Sequence, residues 1–252
     1  MSVLSVQGLR KSFGGVRAVD DVSFAVAAGE IVAMIGPNGA GKTTCFNIVN
    51  GQIVPEAGKV LLEGAEVTGQ TPHRIGRMGV GRTFQVTSTF GSMSVLENVQ
   101  TALLARHGRL RNMWIRARSL YRSEAQLVLE SVGVADQAER PCGVLAYGDL
   151  KRVELAMAIS HSPRLLLMDE PTAGMAPRER AELMALAASL ARARRIGVLF
   201  TEHDMDMVFG HADRVLVLDR GRLIAQGTPE QVRGDARVRE IYLGSPAAFA
   251  RG

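Results

Sequence analysis

No stretch of this chain stays apolar for anything near the ~20 residues that a membrane-crossing helix needs, so a helical membrane span is not expected. The opening residues, Met1-Ser-Val-Leu-Ser-Val-Gln7, lack a basic head and an apolar h-region, and no secretory signal is expected from them. Cysteine is scarce. Cys45 and Cys142 are the only two, they lack metal-ligand spacing, and such usage suggests a reducing compartment. These absences together lead us to expect a cytoplasmic chain. Nothing repeats internally and nothing is low-complexity. The net charge of +5 invites a nucleic-acid reading, but the basic residues are scattered apart from a local excess between Arg106 and Arg122. No aromatic-interleaved strand accompanies that excess, so no nucleic-acid partner is expected. The segment Arg111-Asn-Met-Trp-Ile-Arg-Ala-Arg118 has the composition of a surface near anionic lipid heads, and equally of a solvated basic face.

What is present is a chain of 252 residues, 46% hydrophobic and 22% charged, long enough to bury a core as one large domain or one domain with a lobe. Its most informative stretch is Gly36-Pro37-Asn38-Gly39-Ala40-Gly41-Lys42-Thr43-Thr44. An apolar run, Glu30 to Ile35, precedes it and a helical segment, Lys42 to Asn50, follows, which is the context in which G-x-x-x-x-G-K-[ST] binds a nucleotide phosphate. The glycines let successive N–H groups turn inward toward phosphate oxygens, and the following helix adds its unpaired amides. Lys42 would reach the β- and γ-phosphates, and the Thr43 hydroxyl would ligate Mg²⁺. Average residue frequencies give about a one-in-a-hundred chance of such a match, before the strand–loop–helix context is counted.

The first seventy residues read as mostly β, with strands expected at Val3–Val6, Val22–Val26 and Lys59–Glu63. From about Thr87 to Ser160 the texture is helical. Ser94-Val-Leu-Glu97 has the form of a capping box heading a helix over Val95–Arg106, and Ser123–Val132 carries Leu127, Val128 and Val132 at helical spacing. After Pro163 strand and helix alternate again. Arg164–Met168 and Ile196–Phe200 are apolar strands, Pro177 suits the first turn of the helix between them, and Asp213–Leu218 with Arg222–Gln226 reads as a late hairpin. The pattern predicts a parallel α/β nucleotide core, split by a helical insertion and fronted by an antiparallel β layer.

A second motif joins the first. Leu165-Leu-Leu-Met-Asp169-Glu170 is an apolar strand ending in two carboxylates, which an open α/β sheet presents at its ligand-binding edge. Asp169 there can hold Mg²⁺ directly or through water, and Glu170 can orient or deprotonate the attacking water.

Further stretches complete a pattern. Leu145-Ala146-Tyr147-Gly148-Asp149 lies about twenty residues before the Asp-Glu pair, Gln85 closes Arg82-Thr-Phe-Gln85, His203 closes Phe200-Thr-Glu-His203, and Phe13 ends Arg10-Lys-Ser-Phe13. With Ala173-Gly-Met-Ala-Pro177, these resemble, in order and over nearly the whole chain, the ATP-binding subunits of ABC transporters. The resemblance implies a RecA-like P-loop core with an antiparallel β layer and an inserted helical subdomain. It implies one ATP-binding domain over residues 1–244, with the β layer mainly in 1–30 and 55–70, the helical subdomain at about 87–160, the core from 30–54 and 160–219, and a tail at 245–252. Phe13 would stack on adenine, residues 36–44 would hold the phosphates of ATP, and Thr43, Gln85 and Asp169 would hold Mg²⁺. Glu170, His203 and Gln85 would carry catalysis, and Leu145–Asp149 would be the signature that contacts ATP bound to an opposing subunit.

Tyr147, the Arg82–Gln85 sequence, Ala173-Gly174 and the ending Gly227-Thr-Pro-Glu…Ile241-Tyr-Leu-Gly244 are similar to those of the branched-chain (hydrophobic) amino acid import ATPases. The length between Ala105 and Leu127 is like that of the larger of that system's two ATPase subunits. Urea-type importers and lipopolysaccharide-export ATPases share several of these traits. Implied partners are a second ATPase subunit, two membrane permease subunits and, indirectly, a periplasmic solute-binding protein, with the chain peripheral on the inner face of the cell membrane. Three positions depart from the family pattern. Ala146 stands where a serine is usual, Asp149 where glutamine is usual, and Ala176 where Asp or Asn is usual. Asp149 would bring a negative charge to a phosphate contact or would cap its own helix, expected over Asp149–Ser160. Ala146 and Asp149 together favour a heterodimer. Two other classes carry a phosphate loop. A soluble ATP-driven switch usually has paired domains or long coiled coils, and a small-molecule kinase does not account for Leu145–Asp149 or His203.

Overall fold

In a computed structural model, which describes residues 2–83, 89–106 and 120–242, the chain builds two sheets and a set of helices around two cores. β1 (Ser2–Phe13) and β2 (Val16–Ala27) form a long hairpin, and β4 (Ala57–Leu62) and β5 (Ala65–Glu66) complete an antiparallel sheet in the order β2-β1-β4-β5. The second sheet runs β10-β9-β3-β8-β7-β6, from β3 (Ile31–Ile35), β6 (Val80–Thr83), β7 (Leu165–Asp169), β8 (Gly197–Thr201), β9 (Arg214–Asp219) and β10 (Arg222–Gly227). Its inner pairs are parallel, and only the terminal hairpin of β9 with β10 is antiparallel.

Sequence dictates this layering directly. β3, β7 and β8 are buried at every position, the mark of central parallel strands covered on both faces. Successive side chains point to opposite faces, so Val32, Met34, Leu165 and Leu167 enter a core shared with the antiparallel sheet and helix α1 (Lys42–Val49). Ile31, Ala33, Ile35, Leu166 and Met168 enter the other core, under α3 (Val95–Arg106), α4 (Arg122–Val132), α5 (Tyr147–Ser160) and α6 (Pro177–Arg194). Short helices α2 (Pro72–Arg77), α7 (Met205–His211), α8 (Pro229–Gly234) and α9 (Ala236–Tyr242) fill the connections.

The α/β class, the β-rich opening and the late hairpin agree with expectation, and so does the capping box. The Glu97 carboxylate accepts from the Ser94 N–H at 3.0 Å while Ser94 Oγ accepts from the Glu97 N–H at 3.1 Å. Other details differ. β1 continues to Phe13, because bulges near Val6–Arg10 let it keep pairing with β2. In α4, Leu127 is 64% exposed, and the core side is Ala125, Val128, Leu129 and Val132. Helix α5 begins at Tyr147, two residues before its expected start. β6 is a strand that pattern reading missed. Val-Gly-Arg-Thr has no apolar run, and its extension comes from pairing with β7, Val80 to Leu165 through Thr83 to Met168.

Candidate active site

The phosphate loop joins β3 to α1 at the carboxyl edge of the parallel sheet. Gly36 is obligatory there, since a Cβ would lie 2.2 Å from the Leu218 carbonyl oxygen. Gly41, with φ 103°, is doubly so, because its Cβ would lie 2.3 Å from the Ala18 carbonyl oxygen on β2. From the other side the Gly221 N–H donates to Ala40 O at 3.0 Å, and the Asp20 N–H donates to Gly221 O at 2.8 Å. Arg222 then grips the Asp20 carboxylate at 2.9 and 2.7 Å, tying β2 to β10 behind the loop. Hydrogen bonding to Arg222 holds the Asp20 carboxyl below its ordinary pKa. Both sheets therefore position this loop.

Helix α1 opens with neither a side-chain cap nor an acidic residue in its first turn, leaving its leading N–H groups for an anion. Thr43 is exposed and Thr44 half-buried at that end. Lys42 is buried, and its Nζ donates to Gly36 O at 2.6 Å and Pro37 O at 3.1 Å. Burial lowers the Lys42 pKa, and the charges of Glu170 and Asp169 oppose that shift. The ammonium thus lies within the field of both carboxylates while held by loop carbonyls that phosphate oxygens can replace. Cys45, one turn into α1, is fully buried, and desolvation pushes its thiol up to about 12.

Asp169 closes β7. Its Oδ1 accepts from Thr201 Oγ1 at 2.7 Å, and Arg82 Nη2 from β6 stands 3.6 Å from its Oδ2. Glu170 follows in a left-handed conformation, φ 47°, which costs a non-glycine residue ~1–2 kcal/mol. The end of β8 imposes it, with the Glu170 N–H donating to Thr201 Oγ1 and Thr201 O, each at 3.1 Å. Such strain at the end of a buried strand aims a side chain. The Glu170 carboxylate meets His203 Nε2 at 2.9 Å. Residues far apart in sequence, Lys42, Asp169, Glu170 and His203, so converge on one edge.

Phe13 ends β1 beside the Gly14-Gly15 turn, half exposed, with Lys11 Nζ 5.4 Å from its ring centroid. The same hairpin brings Ala18 against Gly41, so Phe13 stands on the arm that touches the loop. Gln85 lies outside the described residues.

The segment Leu145–Asp149 leads into α5, and among the described residues no hydrogen bond joins it to residues 36–44. Ala146 is the N-cap of α5 and offers no side-chain acceptor. Tyr147 donates its hydroxyl to Ala173 O at 3.1 Å, and Gly148 packs on α6, where a Cβ would lie 3.1 Å from Glu179 Oε1. Asp149 is not a helix cap: with the cap at Ala146 it falls inside the first turn, where the helix dipole favours a carboxylate, and it accepts from Gln137 Nε2 at 3.5 Å.

Sequence reasoning missed Thr172, Thr201 and Glu202. Glu202 is 5% exposed; its Oε1 accepts from the Thr172 N–H at 3.0 Å and from Thr172 Oγ1 at 2.6 Å, and its Oε2 from the His203 N–H at 3.2 Å. The one available signal was an acidic residue within an apolar strand end, Phe200-Thr-Glu-His203.

A phosphate loop, a strand-end carboxylate pair, a facing histidine and the Leu145–Asp149 segment at the start of α5 make up the pattern of an ATP-binding cassette. The ABC transporter family profile matches residues 19–173, more than half of the chain, and the chain belongs to that family as an ATPase. A second profile, for the branched-chain amino acid ATP-binding cassette transporter, matches residues 222–248. The chain is 40% identical to the high-affinity branched-chain amino acid transport ATP-binding protein BraF of Pseudomonas aeruginosa, over 96% of this chain and 98% of BraF. It is 41% identical to LivG of Escherichia coli K12, a protein of the same description, over 96% of this chain and 98% of LivG. The crystal structure of the ADP conformation of MJ1267, an ATP-binding cassette of an ABC transporter, superposes with a TM-score of 0.88 at 31% identity, covering 97% of this chain and all of that one.

Proposed function

We propose that this chain is the ATP-hydrolysing motor subunit of an importer for branched-chain amino acids, working as one of two cassettes beneath two permease subunits. The observation that carries the hydrolytic part is the contact of Glu170 with His203 at 2.9 Å, beside Lys42. Identity to LivG and BraF along nearly the full chain, with the C-terminal profile match, supports the substrate class.

In this reading adenine lies on Phe13 and the phosphates lie in the loop, where Lys42 exchanges Gly36 O and Pro37 O for β- and γ-phosphate oxygens. Thr43 and Asp169 supply hydroxyl and carboxylate oxygens, the hard donors that Mg²⁺ takes, and Gln85 is assigned as a third. The ion would neutralise charge on the β- and γ-phosphates. Glu170 accepts the proton of the attacking water on its carboxylate, and His203 donates from its ring to the γ-phosphate oxygens as charge develops. The signature residues Leu145–Asp149 serve the ATP of the opposing cassette, a partner of different sequence whose fuller signature compensates for Ala146 and Asp149. The single cassette over residues 1–244, with a tail at 245–252, belongs to the same reading.

No described helix is long and apolar enough to cross a membrane, which suits a peripheral subunit on the inner face. Support for permease docking comes from a groove of about 850 Å³ between α2 and β6 on one side and α3 and α5 on the other. His73, Arg77, Arg106, Met157 and His161 line it, and so does Thr83, two residues before Gln85.

Two measurements test the proposal. Glu170→Gln should keep ATP affinity while hydrolysis falls below about a tenth of wild type, a barrier increase above ~1.4 kcal/mol. In cells lacking the chain, uptake of labelled leucine, isoleucine and valine should return with the wild type and not with Glu170→Gln. Hydrolysis above that level overturns the role of Glu170, and unimpaired uptake without the chain overturns the substrate class.

A further inference from the structure

His203 is 50% exposed at its side chain, so the position of its ring depends on the backbone that carries it. That backbone is tied on both sides to the segment that follows Glu170. Before His203, the buried carboxylate of Glu202 takes three donors: the N–H and hydroxyl of Thr172 and the N–H of His203 itself. After it, Asp204 caps α7 through the N–H groups of Asp206 and Met207 and accepts from Arg180 Nη1 at 2.9 Å. Arg180 Nε in turn donates to Met175 O at 2.7 Å. Thr172 and Met175 both lie in the turn between Glu170 and α6.

A carboxylate that is only 5% exposed is costly to bury unless its lone pairs are used. Glu202 uses its two oxygens on opposite sides, one on the segment after Glu170 and one on His203. We propose that Glu202 is a positioning residue for hydrolysis, setting the distance between Glu170 and His203 by bridging the ends of β7 and β8. It acts through Thr172 and the His203 backbone that its carboxylate holds. Because the bridge also holds Thr172, displacement of the 173–177 turn by an opposing cassette is passed to His203 through it. This inference rests on the reading of Glu170 and His203 as the hydrolytic pair.

The experiment is a double-mutant cycle on the full chain, with kcat, KM and ATP affinity measured and slow residual hydrolysis resolved under single-turnover conditions. Glu202→Gln keeps the shape but turns an amide NH₂ toward one of the donors, and Thr172→Val removes the hydroxyl donor while leaving Glu202 in place. Misplacement of about 1 Å can cost ~100-fold in rate. The expected result is a fall in kcat of about tenfold or more for Glu202→Gln and a smaller fall for Thr172→Val, with KM and ATP affinity within about twofold. In a His203→Ala background the same two substitutions should change kcat by less than about twofold, because the group they position is gone. A merely structural role predicts the same fractional loss in both backgrounds, and that result overturns the proposal. So does wild-type kcat in both single variants. If His203→Ala loses hydrolysis while the Glu202 and Thr172 variants keep it, only the positioning role fails. If His203→Ala itself keeps wild-type kcat, the reading of the hydrolytic pair fails with it.

Discussion

Substituting Gly41 by alanine isolates what the fold contributes to the phosphate loop. Gly41 has φ 103°, and an added Cβ would stand 2.3 Å from Ala18 O and 3.5 Å from the Gly221 Cα. Two costs combine. A Cβ in a positive-φ conformation costs ~1–2 kcal/mol, and forcing an atom into a filled site costs ~1–3 kcal/mol. Loss of unfolded-state freedom returns only ~0.4–1 kcal/mol. The net is a destabilisation of roughly 1–4.6 kcal/mol, the sum of those ranges. Gly39 is the internal control, since its φ is 79° but no atom lies within 4 Å of its added Cβ. Gly39→Ala should therefore carry the conformational cost without the clash, and the two variants should differ by ~1–3 kcal/mol. At ~2–4 °C per kcal/mol for a chain of this size, that is a gap of about 2–12 °C in Tm. Thermal unfolding without nucleotide measures the gap, and ATP titration shows whether the loop still closes on phosphate. Equal Tm values would refute the claim that β2 and the β9–β10 turn clamp the loop at Gly41.

Lys42→Ala should abolish measurable ATP binding, because the phosphates lose their nearest fixed cation; unchanged affinity in a direct titration would contradict the cradle. Asp149→Gln, in a Glu170→Gln background at low ionic strength, should raise ATP-dependent self-association measured by sedimentation, since like charge facing a phosphate opposes closure. A tight ATP-dependent homodimer already present with Asp149 would refute that repulsion. The Asp20–Arg222 pair sets an acid limit. The folded pKa of Asp20 lies below its unfolded value, so its contribution is complete above the unfolded value of ~3.9 and is lost as pH falls through the folded one. Asp20→Asn should therefore lower Tm at neutral pH, and the difference from wild type should shrink as pH drops below ~4. A difference independent of pH would show that the tie is not ionic.

Which parts of this protein are legible in one dimension follows from the range of the interactions involved. The phosphate loop, the Asp169-Glu170 strand end and the Ser94–Glu97 capping box each depend on neighbours a few residues away, and their chemistry is written in contiguous residues. Buried parallel strands such as Leu165–Asp169 also announce themselves, because both of their faces must be apolar. Other features belong to the tertiary structure alone. β6 has no apolar pattern and is extended only because β7 offers it a ladder. Leu127 has helical spacing yet faces away from the core, since the face of α4 that is buried is chosen by α3 and α5. Asp149 was open to reading as a cap until the start of α5 placed Ala146 there. Glu202 carried almost no signal in sequence, because its partner Thr172 is thirty residues earlier and the meeting of β7 with β8 brings them together. Local chemistry named the ligand of this chain; packing between distant strands decided where the groups that act on it stand.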